Sequence, residues 1–268
     1  MSASYRNEQR RRWDSLAAAH GSTEPLQAVI GSSALGNAYL DRTTKRLLGK
    51  VLRLRKSDVV LDYGCGVGRL SLWLAPHVRE VVAMDISPKM VEVATKQSVA
   101  AGVGNASFSV APEGELPLET ASVDVLVCGG VLKYVMDEDD LARLVAEFGR
   151  VLKPGGRAAV IDEVVEGEPL TVSGEHEIGG TARLRTADSY RERFGRNGMS
   201  SHGGWPVYRP RLLRLYSRLG IGHGRKPLPA WLANVLVSAE LGLESLLRKR
   251  VAAGSGFQLW YFVKDAPR

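Results

Sequence analysis

The chain has 268 residues, 44% of them hydrophobic and 24% charged, which is material for a sizeable core and excludes a disordered or low-complexity polymer. Its net charge of +7 invites an anionic partner. However, the cationic runs Arg10–Arg12, Arg209 to Arg218 and Arg248–Arg250 lack the interleaved aromatics of a base-stacking platform, so nucleic acid is disfavoured. Cys65 and Cys128 lie far apart, with no CxxC or Cys/His pattern. That argues against a disulfide framework or structural zinc site and fits a reducing, cytoplasmic setting.

In chain order, the opening MSASYRNEQRRRWDSLAAAHG is charged and has no continuous apolar segment of signal-peptide type. Residues 1–55 are expected to form a helical cover that includes the stretch GNAYLDR from Gly36 to Arg42. From about residue 58 to 165, apolar runs alternate with helical patterns: VVLDYG, LSLWLAPHV, VVAMDIS, MVEVATKQSVAAG, ASFSV and VDVLVCGG. Strands that are apolar throughout suit a parallel sheet covered on both faces, with right-handed crossovers. The expectation is a doubly wound α/β fold. The helix from about Asp139 to Leu152 carries Leu141, Leu144, Val145, Phe148 and Leu152 at helical spacing, and KPGG should close it before the strand RAAVIDEV.

Beyond residue 165 a polar, glycine-containing stretch leads to TADSYRERFGRNG, where Thr186 can cap a helix and Gly198 can end it. A lid or substrate loop is expected here, with His176 and His202 in loops, each a surface residue on the simpler reading. The segment Trp231–Leu247 carries Glu240 and Glu244 and falls short of the ~20 apolar residues that a bilayer crossing demands, so it reads as a buried or capping helix. FQLWYFV should be the last strand. The chain is expected to be one domain: cover 1–55, core 56–165, and substrate-covering elements with the final strands in 166–268.

The loop in VVLDYGCGVGRL sets strand, glycine turn and helix in the order that binds ligands at the carboxyl end of a first strand. A dinucleotide fingerprint needs G-x-G-x-x-G. Gly64 and Gly66 match it, but Arg69 stands at the third position and the glycine falls at Gly68. Asp62 at the mouth of the turn would repel a pyrophosphate and attract a ligand bearing positive charge. Asp85, ending VVAMD, is placed to accept both hydroxyls of a ribose. The ligand expected is a nucleoside joined to a cationic amino-acid moiety, which describes S-adenosylmethionine.

With these motifs in order, Val59–Val164 resembles the class I S-adenosylmethionine-dependent methyltransferases of the ubiquinone/menaquinone-methyltransferase-like group. VLDYGCGVGRL is similar to that family's first motif and VVAMDISPKMVEVA to its second. ELPLETASVDVLVCGGVLKYV is similar to the segment through strand four, and LKPGG to the turn before strand five. The resemblance implies a Rossmann-like methyltransferase fold with a seven-stranded, mostly parallel sheet, a helical N-terminal cover and a helical insertion before the last strand. It implies S-adenosylmethionine as cofactor and S-adenosylhomocysteine as product. Asp62, Gly64, Cys65, Gly66 and Gly68 would line the methionine end, Asp85 would hold the ribose, and Ile86 would pack on adenine. Gly129, Gly130 and Val131 would lie beneath the sulfonium. Pro112 stands where an acidic residue is usual, which leaves Glu113 or backbone atoms to meet the adenine amine.

For chemistry, the candidates follow strands four and five: Lys133, Tyr134 and Glu163, any of which is a candidate base for the acceptor proton. Asp162 and Glu163 are joined by no further acidic cluster, so metal independence is expected. Asp124, at the opposite strand end, reads as structural, and Cys65 and Cys128 as packing residues rather than nucleophiles. A small-molecule acceptor is expected, methylated most simply at oxygen. An RNA or protein methyltransferase, and a non-catalytic binding protein of the same fold, stand as alternatives.

Overall fold

The computed structural model describes residues 3–21, 34–173, 180–207, 232, 235–240 and 256–266. Two helices come first, α1 (Ala3–His20) and α2 (Ala34–Leu52). The core then runs β1 (Val59–Tyr63), α3 (Arg69–Leu74), β2 (Glu80–Asp85), α4 (Pro88–Ala100), β3 (Ala106–Val110), β4 (Val123–Gly129), α5 (Glu138–Val151) and β5 (Leu152–Val164). A 3₁₀ turn, Leu132–Tyr134, follows β4. After β5 come β6 (Leu170–Val172), β7 (Ala182–Leu184), α6 (Ala187–Arg196), β8 (Met199–Pro206) and β9 (Gly256–Lys264).

Seven strands form one sheet in the order β3-β2-β1-β4-β5-β9-β8. β1 to β5 pair in parallel, while β9 lies antiparallel between β5 and β8. The order reverses at β1 and β4, so their carboxyl ends open the crevice in which sheets of this kind bind ligands.

Side-chain alternation divides the core between the two faces of the sheet. One face takes Leu61, Leu126 and Val160 against Phe148 of α5 and Phe194 of α6. The other takes Val60, Val125 and Ala159 against Leu47 and Leu48 of α2 and Leu74 of α3. The expected stripe on α5 is present: Leu141, Val145 and Phe148 are fully buried. Asp137 caps the helix by accepting from the Asp139 and Asp140 N–H groups.

Several sequence readings change. KPGG does close α5, but it sits inside β5 as a looped-out stretch: Leu152 pairs with Val123 and Arg157 with Val125, so the ladder skips across it. Thr186 caps α6 through the Ser189 N–H, and Gly198 follows with φ +68°, as its sequence pattern implies. The hairpin β6–β7 and the edge strand β8 were not foreseen. His202 lies in β8, exposed and edge-on to Tyr261, rather than in a loop over the crevice. Asp124 accepts from the Val59 N–H and the Lys153 ammonium at the strand end opposite the crevice, a structural role. His176, the basic segment 209–226 and most of the helix expected at 231–250 lie outside the described residues, although 235–240 are helical. Among the described residues no helix is long and apolar enough to cross a membrane.

Phe148 is wholly buried between α5 and the sheet and meets Tyr63 edge-on at 5.2 Å. Phe148→Ala should therefore cost about 3–5 kcal/mol, measured as a fall in the urea unfolding midpoint at unchanged m-value. A loss below ~1 kcal/mol would mean that this face is not the packed core described.

Candidate functional site

The loop after β1 is built from glycines for identifiable reasons. Gly64 has φ +78°, and a Cβ there would lie 2.1 Å from Val131 Cγ2, so the loop abuts the turn that follows β4. Gly68 has φ +84°, and a Cβ there would press on Ala94 and Phe108. The glycine pattern thus lets the first loop close down on β4 and α4.

The loop's amides are largely spent inside the protein. Gly64 and Cys65 donate to the Met84 carbonyl at 2.7 and 3.0 Å, Gly66 donates to Asp85 Oδ2 at 2.8 Å, and Gly68 donates to the Cys65 carbonyl. The Ser87 N–H bonds the other oxygen, Asp85 Oδ1, at 2.9 Å. A loop whose N–H groups point back at β2 is not an anion cradle. The two carboxylates beside it, Asp62 and Asp85, give the site negative rather than positive character. This donor set fits a phosphate-free ligand with cationic groups, and S-adenosylmethionine has that chemistry.

Burial raises both acids to about 6. Asp62 is 1% exposed and Asp85 8%. Ser71 donates to Asp62 at 2.6 Å and, with Arg69, partly offsets the desolvation. Arg69 is held in turn by Asp41 of α2 at 2.6 Å. Cys65 is buried, and its thiol is pushed well up by burial and by Asp85 and Asp62, which suits packing rather than nucleophilic attack.

Ile86 lies half-buried directly after β2. Across from it the Ala111 N–H donates to the Asp85 carbonyl at 2.8 Å, so residues 111–113 leave the sheet beside Asp85. Pro112 is half-buried and Glu113 exposed. Gly129 and Gly130 end β4, and the Gly130 N–H donates to the Ile161 carbonyl at 2.7 Å.

Lys133, Tyr134 and Glu163 come together at the carboxyl ends of β4 and β5. Lys133 Nζ stands 3.3 Å from Glu163 Oε2 and about 5 Å from the ring centres of Tyr134 and Phe257. The Lys133 N–H bonds Asp162 Oδ2, and burial raises that acid to about 6. Trp13 of α1 meets Tyr134 edge-on at 5.5 Å. Among the described residues no three His, Cys, Asp or Glu side chains converge to hold a metal ion.

Sequence reasoning missed four residues here. Arg185 is 1% exposed and clamps the 3₁₀ turn, donating to the Leu132 and Val135 carbonyls at 3.1 and 2.6 Å and pairing with Glu138. Asp14 of α1 accepts from Ser87 Oγ and the Lys89 N–H. Arg6 donates to the Ala111 and Pro112 carbonyls. Ser87, an N-cap followed by Pro88, carried a local signal; the other three are joined to their partners only by the fold.

Residues 60–156 match the methyltransferase domain family model. The uncharacterized methyltransferase YcgJ of Bacillus subtilis is 30% identical over 54% of this chain and 55% of its own length. The ubiquinone biosynthesis O-methyltransferase of Xylella fastidiosa is 33% identical over 53% and 51%. The chain thus spans about half the length of these curated relatives. The solved geranyl diphosphate C-methyltransferase of Streptomyces coelicolor superposes with a TM-score of 0.65 over 98% of both chains at 15% identity, a likeness of fold. Residues 60–156 are thus similar to a methyltransferase domain, and the fold around them is like that of a solved methyltransferase.

Proposed function

We propose that the chain transfers a methyl group to an oxygen atom of a small-molecule acceptor. On this reading residues 1–55, 56–165 and 166–268 act as cover, cofactor core and acceptor-covering elements of one unit. The observation that carries it is the Asp85 carboxylate, buried and held by the Gly66 and Ser87 N–H groups at the mouth of the crevice. Its place at the end of β2 suits two ribose hydroxyls. The glycine loop and Asp62 are proposed to take the methionine end, and the turn Gly129–Val131 to face the sulfonium.

S-adenosylmethionine, when bound, supplies a methyl group already activated by its sulfonium. The protein's part is then to orient the acceptor oxygen in line, keep water out and receive a proton. Glu163, less buried than Lys133, is the proposed proton acceptor, with the Lys133 ammonium balancing charge 3.3 Å away. Tyr134 and Trp13 are proposed to exclude water. The name of the Xylella relative, an O-methyltransferase, supports oxygen as the target atom.

Transfer of labelled methyl from S-adenosylmethionine into a fractionated cell extract tests this. Label in a small-molecule fraction, lost with Asp85→Ala, is expected. Label in RNase-sensitive material would overturn the acceptor class.

The two raised acids give a pH signature. A carboxyl whose folded pKa exceeds its unfolded value stabilises the fold most below about pH 4, and that contribution is lost as pH rises through about 6. A ligand that needs Asp62 and Asp85 ionised works in the opposite direction. S-adenosylhomocysteine should bind more weakly as pH falls below about 6, with proton release on binding near that pH. Titration calorimetry in two buffers of different ionisation enthalpy reads both effects, and an affinity unchanged between about pH 5 and 7 would count against these acids as ligands.

A further inference from the structure

The adenine end of the crevice lacks its usual acidic residue, because Pro112 offers neither a carboxylate nor an N–H. The structure fills that corner from elsewhere. Arg6, on α1 and more than a hundred residues earlier in the chain, donates through Nη2 to the Ala111 and Pro112 carbonyls at 2.9 and 3.0 Å. Its Nε meets Glu113 Oε1 at 3.1 Å. The Arg6 side chain is 20% exposed, whereas that of Glu113 is 74% exposed. The Arg6 charge also partly offsets the rise that burial imposes on the Tyr63 hydroxyl, at the carboxyl end of β1 and next to Gly64.

α1 reaches this position through contacts on both sides. Asp14 binds Ser87 and Lys89 at the start of α4. Tyr5 donates to the Thr181 carbonyl at 2.8 Å. Val67, inside the glycine loop, is fully buried in a cluster with Ala17 of α1 and Met90 and Val93 of α4. The helix therefore lies across the loops after β1, β2 and β3, with Arg6 at their adenine side.

We propose that Arg6 and Glu113 form the purine-reading pair of this enzyme. Arg6 Nε and Nη2 are engaged by residues 111–113, and on this proposal the Nη1 N–H groups donate to a ring-nitrogen acceptor of the base. Glu113, anchored by Arg6, accepts from the exocyclic amine. A planar guanidinium also offers its face to a flat ring. With one member on α1, the pair does what position 112 does not. This rests on the cofactor assignment, and it adds a specificity-determining residue to it.

The test is titration calorimetry with S-adenosylhomocysteine and with S-inosylhomocysteine, in which an oxo group replaces the amine. It compares wild type, Arg6→Met, Arg6→Lys, Glu113→Gln and Tyr5→Phe. Tyr5→Phe loosens α1 at a contact remote from the base and keeps a structural effect separate. Wild type should prefer the adenine compound. Arg6→Met should weaken S-adenosylhomocysteine binding about tenfold or more, with partial rescue in Arg6→Lys. Both Arg6→Met and Glu113→Gln should narrow the preference between the two ligands, and Tyr5→Phe should leave it intact. If Arg6→Met lowers both affinities together at an unchanged ratio, or lowers neither, Arg6 only docks the helix and the proposal is overturned. If wild type binds neither compound, the cofactor reading itself fails, a result distinct from any behaviour of the Arg6 variants.

Discussion

Everything at the carboxyl edge of the sheet depends on burying one carboxylate. Taking Asp85 out of water is costly unless its oxygens are hydrogen-bonded, and it holds one backbone N–H on each of them. Those donors come from different loops: Gly66 follows β1, and Ser87 opens α4. The carboxylate thus ties the first two crossover loops to each other. Ser87 also caps α4 through the Met90 N–H and donates to Asp14 of α1. A single side chain therefore sets the spacing between the glycine loop, the α4 terminus and the helix that covers them.

The two ends of the crevice are organised by different means. At the glycine loop, close backbone approach dominates, since Gly64 packs where any side chain would overlap Val131. At the turn after β4, charge dominates. Arg185 holds both ends of the turn that carries Lys133 and Tyr134, and Glu138 joins Arg183, Arg185 and Arg193 in one ionic cluster. Of these, Arg185 is the buried member, and removing Glu138 would leave its charge without that partner. The hairpin β6–β7 and α6 are thereby wired to the turn at the active edge, although they lie outside the seven-stranded sheet.

The parts legible in the sequence are those where one physical cause acts locally. Continuous apolar runs such as VVAMD and VDVLVCG read as strands buried on both faces, and α5 announced itself by its apolar period and the KPGG that follows it. β8 was not legible, because MSSHGGWP is polar and glycine-rich and is made a strand by its partner β9 rather than by its own propensity. The same limit hid Arg6 and Arg185. Both are arginines in a chain rich in them, and neither can be told from a solvated cation until the fold brings carbonyls to it. The place of Asp85 at the end of β2 was readable from the sequence, but its bonds to Gly66 and Ser87 were not.

The antiparallel seat of β9 between β5 and β8 has a consequence for how the molecule comes into being. Trp260 and Phe262, both fully buried, belong to the same core cluster as Phe148 and Phe194. During synthesis β1 to β5 are complete about a hundred residues before the strand that covers β5's free edge emerges from the ribosome. Throughout that interval the nascent domain presents an unpaired, apolar β5 edge to the cell, a template for intermolecular pairing. Its vulnerability to aggregation is therefore greatest between the completion of β5 and the arrival of β9, and chaperone demand should concentrate on that interval.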